Sequence, residues 1–350
     1  MKKIVTVIGA RPQFVKAAVL SRKIEENFSD KFSELIIHTG QHYDQNMSDV
    51  FFEEMNIPRP HMNLEVGSGS HGAMTGRMLE KIEDVLLSEK PDFLLTYGDT
   101  NSTIAGALAA SKLHIPVVHV EAGLRSFNMK MPEEQNRILT DRISTLLFCP
   151  TDTAVENLKD EGLTEGVYRT GDIMLDASLY YRQDVTKPEF DIPADFILVT
   201  LHRAENTDDP QRLRNIVQAL SESGRNVILP LHPRTVKMLN QFNLKFGDNV
   251  KIVKPVSFFE MLYLESNCRM VVTDSGGVQK EAYFFKKPCV TMRDQTEWVE
   301  TVNAGWNTIV GADKDKILQA IDRAEVLKLY PDLYGNGNSA QEMLNILSTY

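Results

Sequence analysis

"FLLTYGDTNSTIAGALAASKLHIPVVHVEAG", residues 93–123, runs from one apolar segment through a helical pattern into a second apolar segment. FLLTY and PVVHV are short, nearly continuous apolar runs, as expected of parallel strands covered on both faces. Thr100, Asn101 and Ser102 open the helical stretch NSTIAGALAASK between them. A strand, a helix and a strand in this order predict a parallel sheet with right-handed crossovers. Both strands end on a carboxylate, Asp99 and Glu121. A buried strand that delivers an acid at its tip is unusual unless something there needs it.

Working outward, the same rhythm recurs. IVTVIG, ELIIHTG and LLFCP are further strand candidates in the first half, and FILVTLH, VILPLH, MVVTDSGG and PCVTM in the second. VKAAVLSRKIEENF, MTGRMLEKIEDVLLSEK and DPQRLRNIVQALSES carry helical patterns between them. The pattern runs through twice, joined by GDIMLDASLYYRQDVTKPEFDIPADF, a crossover helix followed by a Pro-containing linker. The expectation is an α/β protein of two similar doubly wound domains with a cleft between them. The first spans 1–172, the second 173–335, and a terminal helical segment follows at 336–350.

Composition narrows the function classes. With 350 residues, two cores are expected rather than one. A net charge of −10 argues against a nucleic-acid footprint while permitting a local basic pocket. No apolar run reaches the roughly 20 residues needed to span a bilayer, and MKKIVTVIGA reads as a first core strand rather than a signal peptide. Cys149, Cys268 and Cys289 lie far apart in apolar surroundings, as buried free thiols of a reducing cytosol would.

In open parallel sheets, ligands bind beyond the carboxyl ends of the strands, where strand order reverses. TDSGGVQKE, residues 273–281, is the clearest ligand signal there. Ser275, Gly276 and Gly277 open a helix whose first amides are unpaired and whose dipole favours a diphosphate. Glu281, a turn and a half on, could accept hydrogen bonds from ribose hydroxyls; an ordinary serine cap with a glycine turn is the alternative. GARPQFVK, residues 9–16, has one glycine and fails the dinucleotide fingerprint, so no nicotinamide or flavin cofactor is expected. Arg11 and Lys16 could bring positive charge to a phosphate, or form a solvated helix start. Asp99, Glu121 and Glu133 gather acids that raise one another's proton affinity, which would place an acid and a base in one site. Each also has a structural explanation: Asp99 as a helix cap, Glu121 paired with Arg125, Glu133 and Glu134 as solvated first-turn acids. His202 and His232 lack metal-ligand spacing and read as hydrogen-bonding or acid–base groups of the cleft. His119, inside a strand, reads as a satisfied core residue, and no metal is expected.

GARPQFVK, YGDTNST, HVEAGLRS, PEEQNR, LHRAEN and TDSGGVQKE, in this order, resemble the non-hydrolysing UDP-N-acetylglucosamine 2-epimerase family over nearly the whole chain. The resemblance implies a GT-B fold of two Rossmann-like domains, a UDP-sugar substrate, no cofactor, and a homodimer in the cytoplasm. Lys16, Asp99, Glu121, Glu133 and His202 fall on positions the family uses for catalysis. Arg11, His232, Ser275, Gly276, Gly277 and Glu281 fall on the nucleotide side. The implied reaction is anti elimination of UDP and re-addition; which carboxylate serves which sugar face stays open. Two departures stand out. Trp298 in TEWVE takes the place of an arginine in the TERPE of many members. GQHYDQNM, residues 40–47, lacks the arginine of the QHR motif found in allosterically regulated bacterial members. These features are closer to the branch acting on UDP-2,3-diacetamido-2,3-dideoxyglucuronate for surface polysaccharide. A hydrolysing epimerase, a GT-B glycosyltransferase and a non-enzymatic nucleotide-sugar sensor are the competing readings.

Overall fold

A computed structural model describes residues 1–40 and 59–350, without the side chain of Arg11. His42 and most of GQHYDQNM therefore lie outside the described residues. The chain divides into two compact units, Met1–Ala177 with Leu333–Tyr350, and Ser178–Asp332.

The first unit is built on β1 (Lys2–Ile8), β2 (Phe32–His38), β3 (Met62–Asn63), β4 (Phe93–Tyr97), β5 (Val117–Val120), β6 (Leu146–Cys149) and β7 (Val167–Arg169). Its helices are α1 (Arg11–Asn27), α2 (His71–Glu89), α3 (Asn101–Lys112), α4 (Pro132–Ile143), α5 (Asp152–Asp160) and the first half of α6 (Ile173–Tyr181), which continues past Ala177. The strands form one parallel sheet in the order β3-β2-β1-β4-β5-β6-β7. Central strands are apolar on both faces because helices cover both: Val5, Val7, Leu94 and Val117 pack with Ala105, Ala109 and Met78. Each such buried Val or Leu stabilises the fold by roughly 1.5–3 kcal/mol. Helix α3 lies close to the sheet because its residues are small; a β-carbon on Gly106 would stand 3.3 Å from Val7.

The second unit repeats the plan with β8 (Ile197–Thr200), β9 (Val227–Pro230), β10 (Val250–Val253), β11 (Met270–Thr273), β12 (Cys289–Thr291) and β13 (Asn307–Ile309). Between them run α7 (Ala204–Thr207), α8 (Pro210–Glu222), α9 (Pro233–Gln241), α10 (Phe258–Asn267), α11 (Gly276–Phe284) and α12 (Val299–Asn303), and α13 (Lys314–Arg323) follows. The sheet is again wholly parallel, in the order β10-β9-β8-β11-β12-β13. Counted from its first strand, each sheet begins 3-2-1-4-5-6. Strand order therefore reverses between β1 and β4 in the first sheet, and between β8 and β11 in the second.

The nine strands expected from sequence are all present. Among the described residues, the four strands that gave no apolar run are β3, β7, β10 and β13, which stand at the edges of the two sheets. Edge strands are covered on fewer sides, so Met62–Asn63 is exposed and Val167–Arg169 only partly buried. They need no continuous apolar sequence. The final helix, α14 (Ser339–Thr349), belongs to the first unit. The Asp176 carboxylate accepts hydrogen bonds from the amides of Ser339 (3.2 Å) and Ala340 (3.0 Å) at its start. Lys2 Nζ donates to the Leu347 carbonyl at its end (3.2 Å), offsetting the helix dipole.

Candidate active site

At the reversal point of the first sheet, Gln13 joins the ends of β1 and β4. Its side-chain oxygen accepts from the amides of Gly9 (2.8 Å) and Ala10 (3.0 Å), and its nitrogen donates to the Tyr97 carbonyl (2.7 Å). Gly9 has no room for a side chain, since a β-carbon would fall 2.0 Å from Ser102 Oγ. Lys16, one turn into α1, is buried and ion-paired with Glu121, also nearly buried. Glu121 reaches that partner through an unusual backbone. Just past β5, the amides of Glu121 (3.1 Å) and Ala122 (3.0 Å) both donate to the Phe148 carbonyl, and Glu121 has φ +73°. A side-chain-bearing residue in this region costs on the order of 1–3 kcal/mol, and such strain gathers at functional sites.

Asp99, past β4, pairs with Arg137 of α4 and keeps 29% of its side chain exposed. Arg137 also donates to Glu134 (2.8 Å). Glu134 is fully buried and accepts from the Ser126 amide (2.9 Å), the Ser126 hydroxyl (2.9 Å) and the Phe127 amide (2.7 Å). Its neighbour Glu133 is only partly buried in the same first turn. The two adjacent acids thus divide: Glu134 organises the loop, and Glu133 stays accessible. Arg125 does not pair with Glu121; it binds Asp141 (2.7 Å) and Glu161 (2.6 Å). Asp99 leaves the capping of α3 to Thr100, whose hydroxyl accepts from the Thr103 amide.

At the reversal point of the second sheet, the organiser is Asp274. It is fully buried and accepts from the amides of His202 (3.1 Å) and Arg203 (2.9 Å) and from Asn206 Nδ2 (3.3 Å). This locks the end of β8 to the end of β11. His202 keeps 47% of its side chain exposed. Burial lowers its pKa; Asp274 opposes this, and Arg203 and His232 add to it. His232 caps α9, accepting from the Arg234 amide at 3.2 Å. Ser275 is the N-cap residue of α11 and does not cap it through its side chain. A β-carbon on Gly276 would lie 2.7 Å from Glu297 Oε1, with Arg203 Nη2 at 3.7 Å and Arg293 Nη1 at 3.8 Å. The same atom on Gly277 would meet nothing within 4 Å. A side chain at Gly276 would have to displace the Glu297 carboxylate, whereas Gly277 opens onto free space. Glu281 faces the fully buried Glu265, whose pKa stands well above the carboxylate range through burial first and Glu281 second.

The family model for UDP-N-acetylglucosamine 2-epimerase matches residues 24–348. The chain belongs to that family. The UDP-2,3-diacetamido-2,3-dideoxy-D-glucuronate 2-epimerase of Pseudomonas aeruginosa is 54% identical to this epimerase-family chain, over 99% of each. A UDP-N-acetylglucosamine 2-epimerase homolog of Methanococcus maripaludis is 53% identical over 99% of each. The crystal structure of Methanocaldococcus jannaschii UDP-GlcNAc 2-epimerase in complex with UDP-GlcNAc and UDP superposes with a TM-score of 0.91. It is 45% identical, covering 99% of this chain and 100% of that one. The epimerase fold is accordingly α/β of the GT-B kind, with two parallel sheets.

Reading the sequence alone leaves out several side chains that build these edges. Glu134, expected as a solvated first-turn acid, is instead fully buried on the Ser126 and Phe127 amides, and Arg137 of the same PEEQNR is buried beside it. In sequence, an i, i+3 acid–base pair looks like a solvated helix face. Arg293, inside MRDQTEWVE, is 2% exposed and pairs with Glu297 at 3.0 Å, a burial that local sequence does not reveal. Among the described residues, no group of three or more His, Cys, Asp or Glu side chains could hold a metal ion.

Proposed function

We propose that the chain interconverts a UDP-linked 2-acetamido sugar and its carbon-2 epimer by anti elimination of UDP and re-addition. A carboxylate takes the carbon-2 proton as the carbon-1 to oxygen bond breaks; UDP leaves with that electron pair, and a carbon-1 to carbon-2 double bond forms. In the return step UDP adds back at carbon 1 while a proton reaches carbon 2 from the opposite face. Direct deprotonation of carbon 2 would be prohibitively slow, because nothing there stabilises the carbanion; departure of UDP removes that barrier.

The observation that carries this reading is Glu121, held by Lys16 where the first sheet's strand order reverses. An acid that is nearly buried, paired and strained is placed for proton transfer rather than solubility. Asp99 and Glu133 stand as further proton-transfer candidates at the same edge, with His202 as a hydrogen-bond donor or acid. Arg11, His232, Ser275, Gly276, Gly277 and Glu281 bind the nucleotide. The open space above Gly277 and the arginines beside Gly276 suit a diphosphate at the start of α11. UDP-2,3-diacetamido-2,3-dideoxyglucuronate is the proposed substrate, supported by the Pseudomonas relative and by Trp298 in TEWVE. Supply of lipopolysaccharide or another surface polysaccharide, a cytoplasmic setting and a homodimer complete the reading. Three free buried cysteines support the cytoplasm, and the family resemblance supports the rest.

Incubation in heavy water tests it. UDP-2,3-diacetamido-2,3-dideoxyglucuronate and UDP-N-acetylglucosamine are supplied in parallel, and deuterium at carbon 2 is followed in the UDP-linked sugar. The expected result is labelling with no free sugar, faster on the uronate. Accumulating free sugar makes the chain a hydrolysing enzyme, and no labelling of either substrate removes the proposal.

A further inference from the structure

His119 is fully buried near the end of β5, and both its ring nitrogens meet acceptors. Nε2 stands 2.7 Å from the Gly98 carbonyl and Nδ1 2.7 Å from Asp141 Oδ1. The carbonyl can only accept, so Nε2 carries a hydrogen. Asp141 receives the Gly123 amide (3.2 Å) and Arg125 Nη1 (2.7 Å) on its other oxygen. The Arg125 guanidinium ion-pairs with it there at 2.7 Å, so this partner is a carboxylate. A lone pair on Nδ1 pointing at that carboxylate from 2.7 Å would be strongly repelled, so Nδ1 carries a hydrogen as well. Arg125 in turn bridges Asp141 to Glu161, which keeps 28% of its side chain exposed, so His119, Asp141, Arg125 and Glu161 form a ladder of paired polar groups running out to solvent.

The ladder ends at the proton-transfer edge. Gly98 has φ +62°, and its missing side chain would point at Glu121 Oε2 (3.4 Å) and Lys16 Nζ (3.8 Å). Its amide donates to the Val120 carbonyl (3.0 Å), while its carbonyl is taken by His119. Both polar atoms of this one residue are therefore fixed, and the next residue is Asp99. We propose that His119 is a positioning residue for proton transfer: doubly protonated between Asp141 and the Gly98 carbonyl, it fixes the turn that presents Asp99 and passes beside the Glu121–Lys16 pair. This rests on the reading that those acids move protons at carbon 2.

The test compares His119→Gln with Glu161→Gln, which removes charge from the far end of the ladder. Expected for His119→Gln is a fall of about 10- to 100-fold in kcat and in carbon-2 deuterium exchange, as misplacement of reacting groups gives. KM and UDP affinity should change less than about threefold, and Glu161→Gln should lose stability while keeping kcat. Equal losses of kcat in both variants, or loss in KM alone, overturn the proposal in favour of a purely structural ladder. Should His119→Gln fail to fold, neutron diffraction from the unaltered protein decides: deuterium on both ring nitrogens supports the proposal, and a single one overturns it. If Glu121→Gln exchanges normally, the proposed function has failed; if it does not but His119→Gln does, only the positioning role has.

Discussion

The two sheet edges have the same topology and opposite chemistry. At β1 and β4 the reversal point gathers acids held by Lys16 and Arg137. At β8 and β11 it offers glycines, a helix start and the arginines Arg203 and Arg293. In both, a buried polar side chain locks the reversal: the amide of Gln13 in the first, the carboxylate of Asp274 in the second. One backbone plan thus carries paired acids at one edge and glycines with arginines at the other, and the side chains delivered by the strand tips decide which. Fold alone does not assign the role.

The largest effect that could break this division is expected from Glu121→Gln. Turnover should fall by about 10²- to 10⁴-fold, the range for a lost general acid or base, with UDP affinity retained in calorimetry. Stability should fall too, by about 3–5 kcal/mol, because Lys16 stays buried without its counter-charge. Loss of UDP affinity with near-normal turnover would mean that the acids serve the nucleotide. Gly276→Ala is the mirror experiment. The added methyl presses on Glu297 at 2.7 Å and shifts it and its partner Arg293 beside the proposed diphosphate, a coupling of about 1–3 kcal/mol that should weaken UDP binding roughly 5- to 150-fold with kcat at saturation little changed. Gly277→Ala sharpens the result. Its methyl meets no protein atom, so stability should hold, and any loss of UDP affinity is a clash with the ligand itself.

A smaller effect separates the edges by pH. Burial holds the pKa of His202 below its unfolded value of about 6.5, so the folded chain binds fewer protons there than the unfolded chain. Its contribution to stability is present above about pH 6.5 and is lost as pH falls through the folded value. His202→Gln should therefore narrow the gap in urea midpoint between about pH 5 and about pH 7; an unchanged gap would show that the ring is not desolvated. The smallest effect is in thiol labelling. Burial pushes the Cys149 thiol up, and Cys268 and Cys289 to about 12, so each should react only when its own unit opens. UDP should slow labelling of Cys268 and Cys289 more than that of Cys149, because of the proposed nucleotide residues only Arg11 belongs to the first unit. Equal protection of all three would overturn that weighting.

Much of the candidate site was legible because the strand tips carry side chains that contrast with the runs before them. Acids after FLLTY and PVVHV, and glycines after MVVTD, contradict the apolar runs before them, and local contrast is what a sequence displays. Arg137 and Arg293 were not legible, because a buried arginine and a solvated one look alike until the partner across the fold is known. His119 shows the same limit: in sequence it is one polar residue in a strand, and its ladder depends on Asp141, 22 residues away, and on Glu161 beyond.

By itself, the sequence determined the alternation of strand and helix, the doubling of that pattern, and which strand ends carry charge. Those are properties of consecutive residues, set by side-chain period and by the apolar cover that a parallel sheet demands. Only the tertiary structure decided the order of strands, the placing of four thin edges, and which charge meets which. Such pairings join residues remote along the chain, and their energies depend on burial, which no local stretch contains.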